Sequence, residues 1–236
     1  LRDWEGEAGL RPAPLNLNIM ASHIVKIISA VPVTHDVKRF RIEKPAGYQY
    51  TPGQATDVAI NKARWENELR PFTFTSLKND EWLEFTIKRY EDHNGVTNLL
   101  HQLTEGDELL IHDVWGAIEY KGPGYFIAGG AGITPFMAIL RDLHQQNKLT
   151  GNVLFFSNKT ANDIIYQEEL TSMLGENVHF ILTREQHIHI NKEFLQSNIT
   201  DFSQHFYVCG PDKMITDVNA ALEELGATAD SLVFEK

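Results

Sequence analysis

Four short stretches of this 236-residue chain combine residue types that could do chemistry. Gly129-Gly130-Ala131-Gly132-Ile133-Thr134-Pro135 lies between an apolar run, Tyr125–Ala128, and an amphipathic one. Glycine lets a backbone turn sharply and approach a ligand, and the N-terminus of a following helix offers unpaired N–H groups to a pyrophosphate. Pro135 suits the first helical turn, where its missing N–H costs nothing; the alternative is a tight turn that binds nothing. Arg70-Pro71-Phe72-Thr73-Phe74-Thr75-Ser76 joins a cation, aromatics and hydroxyls on one strand. Arg70 could grip a phosphate with two N–H groups, Phe72 could lie against a flat ring, and Thr73 could bond that ring's edge. Strict alternation puts Arg70, Phe72 and Phe74 on one face and Thr73 and Thr75 on the other, and an ordinary edge strand accounts for the pattern equally well. Gly95-Val96-Thr97 opens a helical pattern and could hold a second phosphate or merely cap the helix. Cys209-Gly210-Pro211-Asp212 follows an apolar strand, at the end where open parallel sheets bind ligands, although most cysteines outside disulfides are small buried hydrophobes.

The elements that must position these residues fall into two rhythms. Up to Trp115 the chain runs in short alternating segments, Ile24–Ile28, Val37–Ile42, Thr56–Ile60, Phe72–Phe74, Trp82–Ile87 and Glu108–Ile111, broken by turn residues such as Pro45-Ala46-Gly47 and Pro52-Gly53. That pattern predicts an antiparallel barrel or sandwich, interrupted by one helix over residues 96–103. Beyond Lys121-Gly122-Pro123-Gly124 come five nearly continuous apolar runs, Tyr125–Ala128, Val153–Phe156, Val178–Leu182, Phe206–Val208 and Leu232–Phe234. Amphipathic segments carrying Phe136 and Leu143, then Leu170 and Leu174, then Val218 and Leu222, separate them. Strands buried on both faces and alternating with helices make a doubly wound parallel sheet. Two domains are expected, residues 20–119 and 120–236, with residues 1–19 read as a leader or added extension outside the fold.

Composition narrows the chemistry. Lys and Arg number 21 against 32 Asp and Glu, a net charge of −11 that argues against nucleic acid as a partner. A single cysteine excludes an intrachain disulfide, a four-cysteine zinc site and an iron–sulfur cluster held by this chain alone, and fits a reducing, cytoplasmic compartment. No apolar run approaches the roughly 20 residues of a membrane span, so no membrane insertion is expected. His187-Ile188-His189 offers two imidazoles on one face but no third ligand, and no metal is expected.

Taken together and in this order, the four motifs resemble the ferredoxin–NADP reductase superfamily, in its flavodoxin reductase, cytochrome b5 reductase and oxygenase-reductase branches, over about residues 22–236. The resemblance implies a flavin-binding antiparallel β-barrel followed by a five-stranded parallel α/β domain for NADH or NADPH, with the flavin ring at their junction. It makes Arg70 the flavin phosphate ligand and places Pro71, Phe72 and Thr73 at the flavin, with Phe72 standing where tyrosine is often found. It gives Gly95, Val96 and Thr97 to the FAD pyrophosphate, Tyr90 to the adenine, and Ile87 and Lys88 to the same cofactor surface. Gly130, Gly132 and Thr134 would hold the nicotinamide nucleotide, with Cys209, Gly210, Pro211 and Asp212 beside its ring; Thr73, Thr134 and Cys209 are the residues nearest the chemistry. Phe234 or Glu235 would approach the flavin from the tail, which lacks the terminal aromatic several relatives carry.

The implied activity is FAD-dependent oxidation of NAD(P)H, hydride passing to the flavin and electrons to a separate acceptor, either a protein (flavodoxin, ferredoxin, oxygenase component or cytochrome) or a small molecule. A flavin reductase using flavin as a diffusible substrate and a noncatalytic electron-transfer subunit are the alternatives. Lys62, Arg64 and Lys88 are expected to form a limited basic patch for the acceptor. Lys159 and Arg184 could meet a 2′-phosphate and Asp163 a ribose diol, which leaves NADH and NADPH open.

Overall fold

The structure is a computed structural model that describes residues 22–90, 95–116 and 118–234. The extension expected over residues 1–19, and Glu235, lie outside the described residues. In the first half, β1 (His23–Pro32), β2 (Val37–Glu43), β3 (Gln54–Ile60), β4 (Arg70–Thr73), β5 (Trp82–Lys88) and β6 (Glu108–Gly116) form an antiparallel sheet in the order β4-β3-β6-β1-β2-β5. The sheet curls until its two edges approach, and a single bridge joins Phe74 to Phe85. Alternation supplies the filling: Phe40, Ile42, Val58, Ile60, Phe85 and Leu109 all point into one core. Tyr50 stacks on Phe74 with ring centres 4.2 Å apart, and Phe74 leans on Phe85 at 5.2 Å.

Two local expectations need correction. The strict alternation expected from Arg70 onward ends with β4 at Thr73; Phe74, Thr75 and Ser76 are all buried. There the chain crosses from one partner strand to another, the Phe74 N–H bonding the Gln54 carbonyl and the Thr75 N–H that of Glu84. The helix expected over 96–103 is α1 (Val96–Leu100) alone. Leu103 is still buried, but by a turn that Asp107 closes on the Thr104 N–H at 2.9 Å before Gly106, φ +88°, leads into β6.

In the second half, β7 (Gly124–Gly129), β8 (Val153–Asn158), β9 (Val178–Leu182), β10 (His205–Cys209) and β11 (Leu232–Phe234) are parallel, in the order β11-β10-β7-β8-β9. Helices cover both faces: α2 (Thr134–Gln145), α3 (Gln167–Leu174), α4 (Lys192–Asn198) and α5 (Asp212–Glu224). Phe126, Phe136 and Phe156 belong to one core, and Ile127, Phe155 and Val208 to the other. Both faces of β7, β8 and β10 are largely buried, which is why those runs read as continuously apolar; on the edge strand β9 only Ile181 is buried and His179 is exposed. Helix α4 was not expected; Asn191 caps it, its side chain accepting the Phe194 N–H at 2.9 Å, and Leu195 anchors it.

The halves meet over an apolar seam in which Val37 and Ile118 join the core of the second half. Gly53, φ +94°, lies so close that a Cβ there would stand 2.0 Å from the Ile118 carbonyl oxygen. Residues of the connector are held by Tyr207, whose hydroxyl accepts the Lys121 and Gly122 N–H groups at 2.9 and 3.0 Å and donates to the Gly122 carbonyl at 2.7 Å.

Candidate functional site

Between the halves lies a cleft of about 650 Å³. The second half contributes the C-terminal ends of β7, β8 and β10, where a parallel sheet opens toward ligands and the order reverses about its first strand. After β7 the glycine stretch winds into a 3₁₀ turn, Gly130–Ile133, and then into α2, with Pro135 in its first turn. A Cβ on Gly132 would stand 2.3 Å from the Cys209 carbonyl oxygen and 2.6 Å from the Gly210 nitrogen, so glycine is what lets the two loops touch. Gly130 has φ +52° and nothing within 4 Å of where its Cβ would be. The Thr134 hydroxyl donates to the Ala131 carbonyl at 3.0 Å, tightening the turn.

Facing these loops, the first half presents Pro71, Phe72 and Thr73 from β4, Thr86, Ile87 and Lys88 from β5, and Tyr90 and Thr97 beyond. Phe72 and Thr73 both reach the cleft, contrary to the opposite faces expected for them, because β4 ends here and the chain turns across the sheet. Ile87 is braced from behind by His101, whose Nε2 donates to the Ile87 carbonyl at 2.8 Å. Burial lowers the His101 pKa below its ordinary value of 6.5, against the raising effect of that bond. The Lys88 ammonium pairs with Asp36 at 2.8 Å. Burial pushes the Asp36 carboxyl up, but the hydrogen bond and charge of Lys88, with the Thr34 hydroxyl and the His35 charge, together outweigh it and hold the group low.

Of the expected site residues, Pro71, Phe72, Thr73, Ile87, Lys88, Tyr90 and Thr97 are brought together with Gly130, Gly132, Thr134 and Cys209–Asp212. Four are not brought to the cleft. Arg70 donates to the Leu69 carbonyl at 2.7 Å and lies 3.6 Å from Glu68. Gly95 precedes α1 with its carbonyl taken by the Asn98 and Leu99 N–H groups, and Val96 is buried in the core. Phe234, on the edge strand β11, packs into the core on the sheet face away from the one shared with the first half. Of the three residues expected in a basic patch, Lys88 lines the cleft, whereas Lys62 and Arg64 do not; Lys62 pairs with Asp107 at 3.0 Å, at the end of β3 opposite Ala55, which lines the cleft. Lys159, Asp163 and Thr183 line the far end of the cleft, but Arg184 does not. Asp163 is committed to Thr160, accepting its N–H at 2.8 Å and its hydroxyl at 2.6 Å.

Sequence reasoning missed Thr86, Ser157 and Asn158 as lining residues. Asn158 is 5% exposed, and neither polar atom of its amide has a partner among the described residues. The available signal was a polar pair, Ser157-Asn158, ending an otherwise apolar strand. An orphaned buried amide is costly unless something satisfies it. Together with the backbone N–H groups of the glycine turn, the hydroxyls of Thr73, Thr86 and Thr97, and the flat faces of Phe72 and Tyr90, it makes a donor set that fits aromatic dinucleotides.

Comparison with known proteins agrees with that chemistry. Residues 24–120 match the oxidoreductase FAD-binding domain family and residues 126–220 the oxidoreductase NAD-binding domain family. The reductase component of propane 2-monooxygenase from Rhodococcus jostii is 25% identical over 87% of this chain and 60% of its own length. The glycine betaine monooxygenase reductase subunit of Pseudomonas aeruginosa is 28% identical over 86% of this chain and 61% of its own. This chain thus spans about 60% of the length of these curated relatives. Among solved structures, a ferredoxin NADP+ reductase from Neisseria gonorrhoeae with bound FAD and NADP superposes with a TM-score of 0.80 at 20% identity, over 91% of this chain and 98% of that one.

Proposed function

Because the chain belongs to the ferredoxin–NADP reductase superfamily, oxidoreductases that pair an FAD-binding with an NAD-binding domain, we propose that it oxidises NADH or NADPH through FAD and passes the electrons to a separate acceptor. The observation that carries this reading is the cleft itself, which sets Phe72 and Thr73 of one half opposite Gly130, Gly132 and Cys209 of the other. When bound, the flavin supplies an acceptor for the nicotinamide hydride and a donor of single electrons. The chain's own task is alignment and the exclusion of water, and no side-chain acid is needed for the transfer.

In this reading Pro71, Phe72 and Thr73 hold the flavin ring, and Ile87, Lys88, Tyr90 and Thr97 hold the rest of FAD. Arg70 swings to the flavin phosphate; its present contacts are exposed, and exposed ion pairs are weak enough to give up. Gly95 and Val96 act through the backbone, and Phe234 from the end of β11, beside Val208 on β10. Gly130, Gly132 and Thr134 seat the nucleotide, and Cys209–Asp212 flank its nicotinamide. Monooxygenase reductases among the relatives favour an oxygenase component as the acceptor, with cytochromes, flavodoxins, ferredoxins and small molecules as other members of the class. Among the described residues no helix is long and apolar enough to cross a membrane; we place the protein in the cytoplasm.

The test is an anaerobic visible spectrum of the purified protein before and after one equivalent of NADH or NADPH. Bleaching of a protein-bound flavin band is expected, and the nucleotide that bleaches it faster is the preferred donor. A flavin lost on desalting, with oxidation of nucleotide only when flavin is added back, would make flavin a diffusible substrate instead. A protein that binds no FAD and oxidises neither nucleotide would overturn the reading.

A further inference from the structure

Helix α2 starts at the glycine turn and, seven residues after Thr134, carries Arg141. At 1.5 Å per residue this is about 10 Å along one rigid rod. The Arg141 side chain is 16% exposed and reaches out of its own half. One nitrogen, Nη1, donates to Glu84 Oε1 on β5 at 2.9 Å and also to the Thr75 carbonyl. Nε and Nη2 hold both oxygens of Glu169 on α3, at 2.6 and 2.8 Å. The Tyr166 ring lies 5.0 Å from the guanidinium, and the Tyr166 hydroxyl is 2.8 Å from that of Thr86, a residue of the cleft wall. Glu84, its side chain 3% exposed, also takes the Arg41 Nε at 3.0 Å.

Burying charges at a seam is expensive, and an ion pair removed from water returns the expense only when its geometry is good. Cohesion alone does not call for it, since Val37 and Ile118 already join the halves by apolar contact. A planar guanidinium held by partners from both halves adds direction, because its fork accepts each partner from only one angle. We propose that the Arg141–Glu84 pair is a latch that sets the register between the halves, and through it the alignment of the ring held at Phe72 and Thr73 with the ring held at Gly132 and Cys209. Neither residue lines the cleft, so both are positioning residues. The proposal rests on the function proposed above.

The experiment compares the flavin-loaded wild type with Arg141→Lys, which keeps the charge but loses the fork, and with Glu84→Met/Arg141→Met, which removes both charges together. Nucleotide Kd, FAD content, thermal midpoint and the limiting rate of flavin reduction under saturating nucleotide are read for each. A 1 Å misplacement of reacting groups can lower a rate by about 10²-fold. The double variant is therefore expected to hold FAD and bind nucleotide within about twofold of wild type while its limiting rate falls at least about tenfold, with Arg141→Lys in between. A pair that only stabilises the fold would lower the thermal midpoint and leave the limiting rate alone; rates within about twofold of wild type would overturn the latch. If the double variant does not fold, Arg141→Lys decides on the same criterion. A wild type that neither nucleotide reduces would instead sink the functional reading on which the latch rests.

Discussion

At Gly132 the atoms that a side chain would strike belong to the backbone of Cys209 and Gly210, which cannot swing aside. Gly132→Ala is expected to cost about 1–3 kcal/mol, the range for forcing an extra carbon into a packed site. Gly130 makes the contrasting case: its methyl would meet nothing, and the penalty is the left-handed φ of +52°, about 1–2 kcal/mol. Denaturant unfolding of both variants checks this, and Gly132→Ala should weaken nucleotide binding more than Gly130→Ala, because it also pries the β7 and β10 loops apart. Equal nucleotide affinity in the two variants would contradict the loop contact. Both glycines were legible as a sharp turn between strand and helix because backbone freedom is a property of residue type. The orientation of Arg70 was not, since Leu69 and Glu68 compete for its guanidinium and residue type does not rank them. Asn158 was marked only by the polar pair that ends an apolar strand; that its amide has no partner among the described residues is a property of the folded chain.

Among the elements, the parallel strands could be read directly, because strands buried on both faces, as β7, β8 and β10 are, leave uninterrupted apolar runs. Helix α1 was overextended: Leu103 keeps the helical spacing, yet a turn buries it equally well. Helix α4 was overlooked because its seven residues bury little beyond Leu195, too short a stripe for periodicity to register. Its legible signal was the Asn191 cap. Asn191→Ala is expected to destabilise the protein by about 1 kcal/mol, the usual worth of such a cap. An unchanged unfolding midpoint in denaturant would show that α4 holds by packing alone.

Over the whole molecule, what the sequence could not disclose is how the halves face each other, because Glu84 and Arg141 are 57 residues apart and neither belongs to a motif. Burial works to raise the Glu84 carboxyl, but the Arg141 charge and the hydrogen bonds from Arg41, Arg141 and Thr75 outweigh it, leaving the group below its ordinary value of 4.5. A carboxyl lowered in the folded state contributes stability that is complete above its unfolded value and is lost as the pH falls through the folded one. The thermal midpoint of wild type is therefore expected to drop in acid below pH 4.5, and more steeply than that of Glu84→Gln; parallel curves would show that Glu84 does not couple to protons. The three hydrogen bonds that Tyr207 makes to the connector have a mechanical consequence. Lys121 and Gly122 are moored to the second half, and Tyr120 is stacked on the Tyr207 ring at 5.7 Å. The connector is thus a post planted in one half rather than a slack cord between two.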